Sequence, residues 1–196
     1  MSRTSQMTRR TGETDISVSL TLDGAGGGMR TTGIGFFDHM LDAFARHAGL
    51  DLDVDAKGDL QTGSHHTVED VGIVIGQALD EALADRSGIT RFGHAVVPMD
   101  DARASAAIDI SGRPFVAFDG LEIPARTIGG FDTDLVEEFL RAVANNAKLT
   151  LHVTVERGRD PHHMVEACFK AFARALRAAA AFDPNAAGIP STKGLL

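Results

Sequence analysis

Two stretches of the chain share one pattern, His-His-x-Val-Glu: His65-His66-Thr67-Val68-Glu69 and His162-His163-Met164-Val165-Glu166. Each stretch stands directly before a long run of residues with helical apolar spacing. On a helix with about 100° between residues, both histidines and the glutamate project from one arc. In the first run the apolar residues, such as Val71, Ile75 and Leu79, centre on the opposite side. The pattern therefore predicts two helices, each with one buried side and with two imidazoles and a carboxylate in its first turn.

The chemistry of these side chains favours a metal. Imidazole and carboxylate groups are ligands of intermediate hardness that suit manganese, iron, cobalt or zinc. One copy of the pattern would be weak evidence, but two copies on matching helices strengthen the prediction considerably.

The repetition extends over much of the chain, because a helix, a strand, a loop and the histidine-bearing helix follow each other twice. Seven pairs are identical at an offset of 99 residues: Leu41/Leu140, Ala43/Ala142, Ala45/Ala144, Ala48/Ala147, Leu50/Leu149, Leu52/Leu151 and Val54/Val153. After a loop two residues shorter, six more pairs are identical at an offset of 97, including both histidines, the valine and the glutamate. We therefore predict an internal duplication, with halves of about residues 10–98 and 99–196 that pack about a pseudo-two-fold axis.

Two sections at the start of the chain complete this outline. Residues 16–22 alternate between apolar and polar types, which predicts a half-buried strand. Residues 1–11 are polar and basic, and we expect them to form a mobile leader.

The duplication also pairs His39 with Glu138, which raises the standing of both as metal ligands. Eight candidate ligands result: His39, His65, His66, Glu69, Glu138, His162, His163 and Glu166. Eight nitrogen and oxygen ligands could serve two octahedral ions, which favours manganese or iron over structural zinc, although spacing alone does not decide the metal.

Other residues remain open on local pattern alone. His47 could line the same site or lie exposed at a helix end. Arg91 and Arg113 stand near glycines, as anion-binding arginines often do, but loop arginines are common. Glu13 would be an ordinary surface residue, and residues 190–194 would be a frayed tail.

Composition excludes several classes of protein. The chain has 196 residues, 43% of them apolar, with a net charge of −8 and a pI near 5.4. This charge argues against a general nucleic-acid or anionic-membrane surface, and no run is long enough to span a membrane. The only cysteine, Cys168, lies on a predicted apolar stripe and is expected to be a buried hydrophobe. A cytoplasmic protein is the expectation.

Several motifs, taken together and in order, resemble a known family. They are Gly35-Phe36-Phe37-Asp38-His39-Met40-Leu41, the two His-His-x-Val-Glu stretches, Pro98-Met99-Asp100, Asp109-Ile110-Ser111-Gly112-Arg113-Pro114 and Ser191-Thr192-Lys193-Gly194. From about Arg10 to the last residue, the chain is similar to imidazoleglycerol-phosphate dehydratase of histidine biosynthesis.

The resemblance implies a fold and an assembly. The fold would be an α/β (α+β) type similar to domain 2 of ribosomal protein S5, with an internally duplicated unit and two four-stranded sheets sandwiching a four-helix bundle. Residues 1–196 would form a single dehydratase domain with no fused phosphatase domain. The assembly would be a homo-oligomer, expected to be a 24-mer, with two Mn²⁺ ions per active site held between subunits.

The resemblance also assigns roles to residues. The eight candidate ligands would bind the metals, although many relatives have histidine where this chain has Glu138. Substrate phosphate would be held by Arg91, Arg113, Ser191 and Lys193. The remaining substrate contacts would come from Glu13, His47 and Lys170.

The implied reaction converts D-erythro-imidazole glycerol phosphate to imidazole acetol phosphate and water. The C2 proton of this substrate is not adjacent to a carbonyl group, so an ordinary base cannot remove it easily. We hypothesise that two metals bind both ring nitrogens and stabilise an imidazolate, which expels the C3 hydroxyl to give a diazafulvene. Glu166 or Glu13 would then remove the C2 proton.

Two alternatives remain open. A dinuclear phosphoesterase would use the same paired metals and arginines. A metal-binding shell protein would use the ions only to join subunits.

Overall fold

The computed structural model describes residues 3–185 and 188–196 of the chain. In these residues the strands are β1 (Thr4–Arg10), β2 (Thr14–Thr21), β3 (Arg30–Thr31), β4 (Asp51–Gly58), β5 (Phe92–Met99), β6 (Ala102–Asp109), β7 (Phe115–Gly120), β8 (Thr127–Ile128), β9 (Phe131–Asp132) and β10 (Thr150–Arg157). The α-helices are α1 (Gly35–Ala48), α2 (His65–Leu83), α3 (Leu135–Ala147) and α4 (Pro161–Ala180). None of these helices is long and apolar enough to cross a bilayer.

The strands form two four-stranded sheets of the same topology. The first sheet has the order β1-β2-β4-β3 and the second the order β5-β6-β10-β7, while β8 and β9 pair separately. In both sheets the last strand runs parallel to its neighbour and the other pairs are antiparallel. The predicted mixed α/β fold with two four-stranded sheets and four helices is confirmed.

The second copy of the repeat begins earlier than the predicted boundary at residues 98 and 99. That boundary falls within β5, which holds the same position in its sheet as β1 holds in the first. The second copy therefore starts near Phe92. The boundary was misplaced because β5, with Gly93 and Pro98 inside it, lacks a clear apolar alternation.

Residues 4–10, expected to be mobile, form the edge strand β1. They pair with β2 in a continuous antiparallel register from Thr4 to Arg10. The hydroxyl of Ser5 donates to the carbonyl of Ala78 at 2.7 Å, and Arg9 pairs with Asp70 at 2.8 Å. The expectation of a leader was wrong because a polar edge strand gains its stability from backbone pairing and from such contacts rather than from apolar burial. Met1 and Ser2 lie outside the described residues.

The four helices lie between the sheets and share one core with them. Helix α2 packs against β1 and β2 and against α3 of the other half, while α4 packs against β5 and β6 and against α1. Phenylalanines join the halves: Phe44 stacks on Phe172 and Phe139 on Phe169, both at 5.1 Å between ring centroids. Cys168 is fully buried, as predicted, and burial raises the pKa of its thiol to about 12.

Helix ends place the histidines. The carboxylate of Asp160 accepts a hydrogen bond from the backbone N–H of His162 at 2.9 Å, and Pro161 occupies the first helical position. Helix α2 begins directly at His65 after Ser64. Both histidine pairs therefore sit in the first turn of their helices, as the sequence predicted.

Candidate active site

Three predicted ligands form a cluster at the start of α4. The ligand atoms of His39, His162 and Glu166 all lie within 4.8 Å of one another. Glu166 Oε2 lies 3.3 Å from His162 Nε2 and 3.8 Å from His39 Nε2. Because His39 comes from α1 and the other two from α4, the cluster needs both halves of the chain.

Lys170 controls the charge of this cluster. Its Nζ lies 2.6 Å from Glu166 Oε1, one helical turn away. Burial of the Glu166 carboxyl opposes ionisation, but the hydrogen bond and charge of Lys170, with His39 and His162, outweigh it and lower the pKa of Glu166. The carboxyl is only 7% exposed and is held ionised. Two imidazoles and a carboxylate in this geometry fit a first-row divalent cation.

His47 lies two turns beyond His39 on α1 and is partly buried. Burial lowers its pKa, and the positive charges of Lys170 and Arg174 lower it further. His47 is therefore held neutral near the cluster rather than exposed in solvent.

The equivalent residues of the other half are more open. His65 Nε2 lies 3.6 Å from Glu69 Oε2, and both side chains are about half exposed. Glu138 is partly buried in the first turn of α3. In the described part of the chain the ligand atoms of these three residues do not all lie within 4.8 Å of one another, as those of His39, His162 and Glu166 do. One chain thus gathers three of the eight predicted ligands into one cluster.

The second histidine of each pair faces carboxylates that lie outside the two His-His-x-Val-Glu stretches. Both oxygens of Asp59 lie 3.1 Å from His66 Nδ1, and Glu13 Oε1 lies 3.8 Å from Nε2 of the same ring. Asp101 Oδ1 lies 2.6 Å from His163 Nδ1. The hydrogen bond that His66 Nδ1 donates to Asp59 raises the pKa of His66.

A similar effect occurs at the second pair. The hydrogen bond to Asp101 raises the pKa of His163, and this bond, with two backbone N–H donors, lowers the pKa of Asp101 to about 2. The sequence signal that could have found these aspartates is weak, because Asp59 and Asp101 stand in loops at different distances from the histidines that they contact. Glu13, predicted from the resemblance, lies beside a candidate ligand.

The four residues predicted to hold phosphate line one cavity of about 460 Å³: Arg91, Arg113, Ser191 and Lys193. Arg91 donates to Asp109 through two nitrogens, at 2.7 and 3.0 Å, and to the carbonyl of Pro190 at 2.9 Å. These bonds fix the guanidinium and leave donors free. The tail therefore lies against the rest of the chain, and the expectation of a frayed tail was wrong. That expectation did not take account of the contact between Arg91 and the tail.

The cavity and the cluster of His39, His162 and Glu166 lie at opposite ends of α4. The backbone N–H of Arg91 donates to the carbonyl of Ala179 in the last turn, whereas His162 lies in the first. Seventeen helical residues separate these positions, which corresponds to roughly 25 Å. A small molecule therefore cannot touch both sites of one chain.

Comparisons with known proteins agree on one family. The family model for imidazoleglycerol-phosphate dehydratase matches residues 32–176. The enzyme of that name from Jannaschia sp. is 56% identical over 195 residues, covering 99% of this chain and all of the relative. The one from Gluconobacter oxydans is 55% identical over 196 residues, covering 100% of this chain and 98% of the relative.

Solved structures are similar over nearly the whole chain. The imidazoleglycerol-phosphate dehydratase of Staphylococcus aureus has a TM-score of 0.83 and 42% identity, covering 92% of this chain and 99% of the other. The Pyrococcus furiosus enzyme, in complex with (S)-C348, has a TM-score of 0.83 and 39% identity, covering 97% and 100%. This chain belongs to the imidazoleglycerol-phosphate dehydratase family, hydro-lyases of histidine biosynthesis.

Proposed function

We propose that the protein converts D-erythro-imidazole glycerol phosphate to imidazole acetol phosphate at a metal-dependent site. The observation that carries the metal requirement is the cluster of His39, His162 and Glu166, in which an ionised, buried carboxylate stands beside two imidazoles. Membership of the family supports the reaction.

We propose two Mn²⁺ ions per active site. His39, His162 and Glu166 would hold one ion, and His65, Glu69 and Glu138, which are their counterparts in the duplication, would contribute to the other. His66 and His163 complete the proposed ligand set. A divalent cation supplies Lewis acidity at the ring nitrogens, which makes the substrate easier to ionise.

The carboxylates move the protons. The C3 hydroxyl leaves as water with the proton that the imidazole ring has lost, and Glu166 or Glu13 then accepts the C2 proton. The resulting enol then becomes the ketone by taking a proton on carbon. The lowered pKa of Glu166 supports its part in this scheme because it keeps the carboxylate ready to accept a proton or bind a cation.

The substrate phosphate would bind in the cavity lined by Arg91, Arg113, Ser191 and Lys193. Arginine and lysine side chains and a serine hydroxyl match a phosphate dianion in charge and in hydrogen bonding. His47 and Lys170, near the metal cluster, would contact the rest of the substrate.

Within one chain the length of α4 separates the phosphate cavity from the cluster of His39, His162 and Glu166. We therefore infer that the active site is shared between copies of the chain. The outer face of the second sheet supports this inference. Phe92, Val96 and Phe115 are each more than half exposed on it. The face borders the phosphate cavity, because Arg91 lies over the Phe92 ring at 4.7 Å.

A second copy covering this face would bury the apolar side chains and could bring its own metal cluster to the cavity. A 24-mer and a cytoplasmic location stay predictions.

The test is to mix manganese-loaded protein with imidazole glycerol phosphate and to follow imidazole acetol phosphate by ultraviolet absorbance. Chelator-treated protein and a His162→Ala variant serve as controls. Product that requires both metal and His162 supports the proposal. Release of inorganic phosphate instead would indicate the phosphoesterase, and tight metal binding without turnover would indicate a shell protein.

A further inference from the structure

The second histidine of each pair has an aspartate on the same ring nitrogen. Asp59 contacts Nδ1 of His66 at 3.1 Å, and Asp101 contacts Nδ1 of His163 at 2.6 Å. The first histidines differ, since the carboxylates near His65 and His162 are Glu69 and Glu166, which lie nearest Nε2.

The duplication did not supply these two aspartates as a matched pair. Asp59 directly follows β4, and at the offset of 99 that relates β4 to β10 its counterpart is Gly158, which has no side chain. Asp101 lies in the turn between β5 and β6. The same turn places Asp100 Oδ2 3.4 Å from His163 Nε2, as the turn between β1 and β2 places Glu13 Oε1 3.8 Å from His66 Nε2, so the equivalent turns agree at Nε2 but not at Nδ1. Two unrelated loops thus deliver a carboxylate to the same atom of equivalent rings. A shared requirement of the rings explains this better than inheritance from a common half.

Each aspartate is itself held in place. Asp101 Oδ2 accepts hydrogen bonds from the backbone N–H groups of Arg159 at 2.6 Å and Asp160 at 3.2 Å, which leaves Oδ1 directed at the ring. Asp59 Oδ2 accepts from the hydroxyl of Thr62 at 3.0 Å. A carboxylate fixed in this way fixes the orientation of the imidazole that it contacts.

An acceptor on Nδ1 decides where the ring carries its proton. When the imidazole is neutral, the proton stays on Nδ1 and the lone pair is left on Nε2, where it can bind a cation. We propose that Asp59 and Asp101 are positioning residues that hold His66 and His163 with Nε2 free to ligate a divalent cation. This inference rests on the metal site of the proposed function.

The experiment measures Mn²⁺ affinity without substrate. Free Mn²⁺ is titrated by electron paramagnetic resonance at about pH 8, above the ordinary pKa of an imidazole. Asp59→Ala and Asp101→Ala should each weaken binding about 10- to 100-fold, as loss of the carboxylate behind a ligating histidine usually does. Asp59→Asn and Asp101→Asn keep an acceptor oxygen and should recover part of the affinity.

Asp51 provides the matched control. Its Oδ1 accepts from the backbone N–H groups of Ala25 at 3.0 Å and Gly27 at 2.7 Å, so it fastens a loop as Asp101 does but has no histidine partner among the described residues. Asp51→Ala should reduce the thermal stability of the metal-free protein about as much as Asp101→Ala, while leaving Mn²⁺ affinity unchanged.

The outcomes separate the inference from the proposed function. Wild-type Mn²⁺ binding with unchanged affinity in both alanine variants would overturn the inference alone. Equal loss of affinity in Asp51→Ala and Asp101→Ala would also overturn it, because loop fastening would then account for the effect. Failure of the wild type to bind Mn²⁺ would overturn the proposed metal site and this inference together.

Discussion

The two halves of the molecule both have an apolar interior, but the outer faces of their sheets differ. At equivalent core positions they share Leu52 and Leu151, neither of which has any exposed surface. On the outer faces of the sheets the equivalents differ in kind: Thr4, Gln6, Thr8, Asp51, Asp53 and Asp55 on the first sheet correspond to Phe92, His94, Val96, Thr150, His152 and Thr154 on the second. The first face is polar and acidic, whereas the second carries exposed apolar side chains such as Phe92 and Val96 among polar ones.

This difference shows which positions of a duplicated fold are constrained. The helices between the sheets must fit one core, so both copies keep apolar or small residues there, although their sizes often differ between the copies. An outer face meets only solvent or a partner and can change freely. Exposed apolar side chains on one copy alone support the proposed association of that face with a second chain.

The candidate ligands at the starts of α2 and α4 also differ in their surroundings. Lys170 pairs with the buried Glu166, whereas the position equivalent to Lys170 is Ile73, and Glu69 remains about half exposed. The contacts of the helices also differ between the two halves. A Cβ on Gly72 would lie 2.8 Å from Ala142, so α2 and α3 approach closely, while Phe169 takes the place of Gly72 in α4.

The largest expected effect is on catalysis. Glu166→Gln should lower kcat by about 10²- to 10⁴-fold, because it removes both an ionised ligand and a candidate base. Glu69→Gln should lower kcat less, since the more exposed Glu69 lacks a lysine partner. Steady-state assays at saturating Mn²⁺ test this comparison, and an equal or larger loss in Glu69→Gln would contradict it.

The shared core should respond equally in both halves. Leu52→Ala and Leu151→Ala should each lower the free energy of unfolding by about 2 to 5 kcal/mol, because each removes a fully buried side chain. Chemical denaturation of the metal-free protein measures both. Two separate transitions, with each variant shifting only one, would contradict the single core.

The outer faces should respond unequally. Val96→Asp replaces an apolar side chain on the second sheet, and the loss of its burial against another copy should weaken association by about 2 kcal/mol per contact. Thr8→Asp, at the equivalent position of the first sheet, is the control and should leave association unchanged. Analytical ultracentrifugation measures the assembly size, and an equal effect of the two variants would refute the assignment of the faces.

Much of this arrangement was predictable from the sequence. The duplication, the helices and the first-turn positions of His65 and His162 follow from periodicity and from the cap at Asp160. The edge strand β1 did not, because its polar residues are held by pairing with β2 rather than by a pattern of their own. Asp59 and Asp101 were also missed, because loops bring them to the histidines from positions that no local spacing encodes.

The central claim is that each active site combines the metal cluster of one chain with the phosphate cavity of another. The most direct test mixes two inactive variants, Glu166→Gln and Arg113→Ala, dissociates them and reassembles them together. If the site is shared, random assembly of equal amounts should restore about a quarter of wild-type activity. About one site in four would then combine an intact Glu166 from one variant with an intact Arg113 from the other. If mixtures stay as inactive as either parent while hybrid oligomers form, each site lies within one chain and the account is wrong.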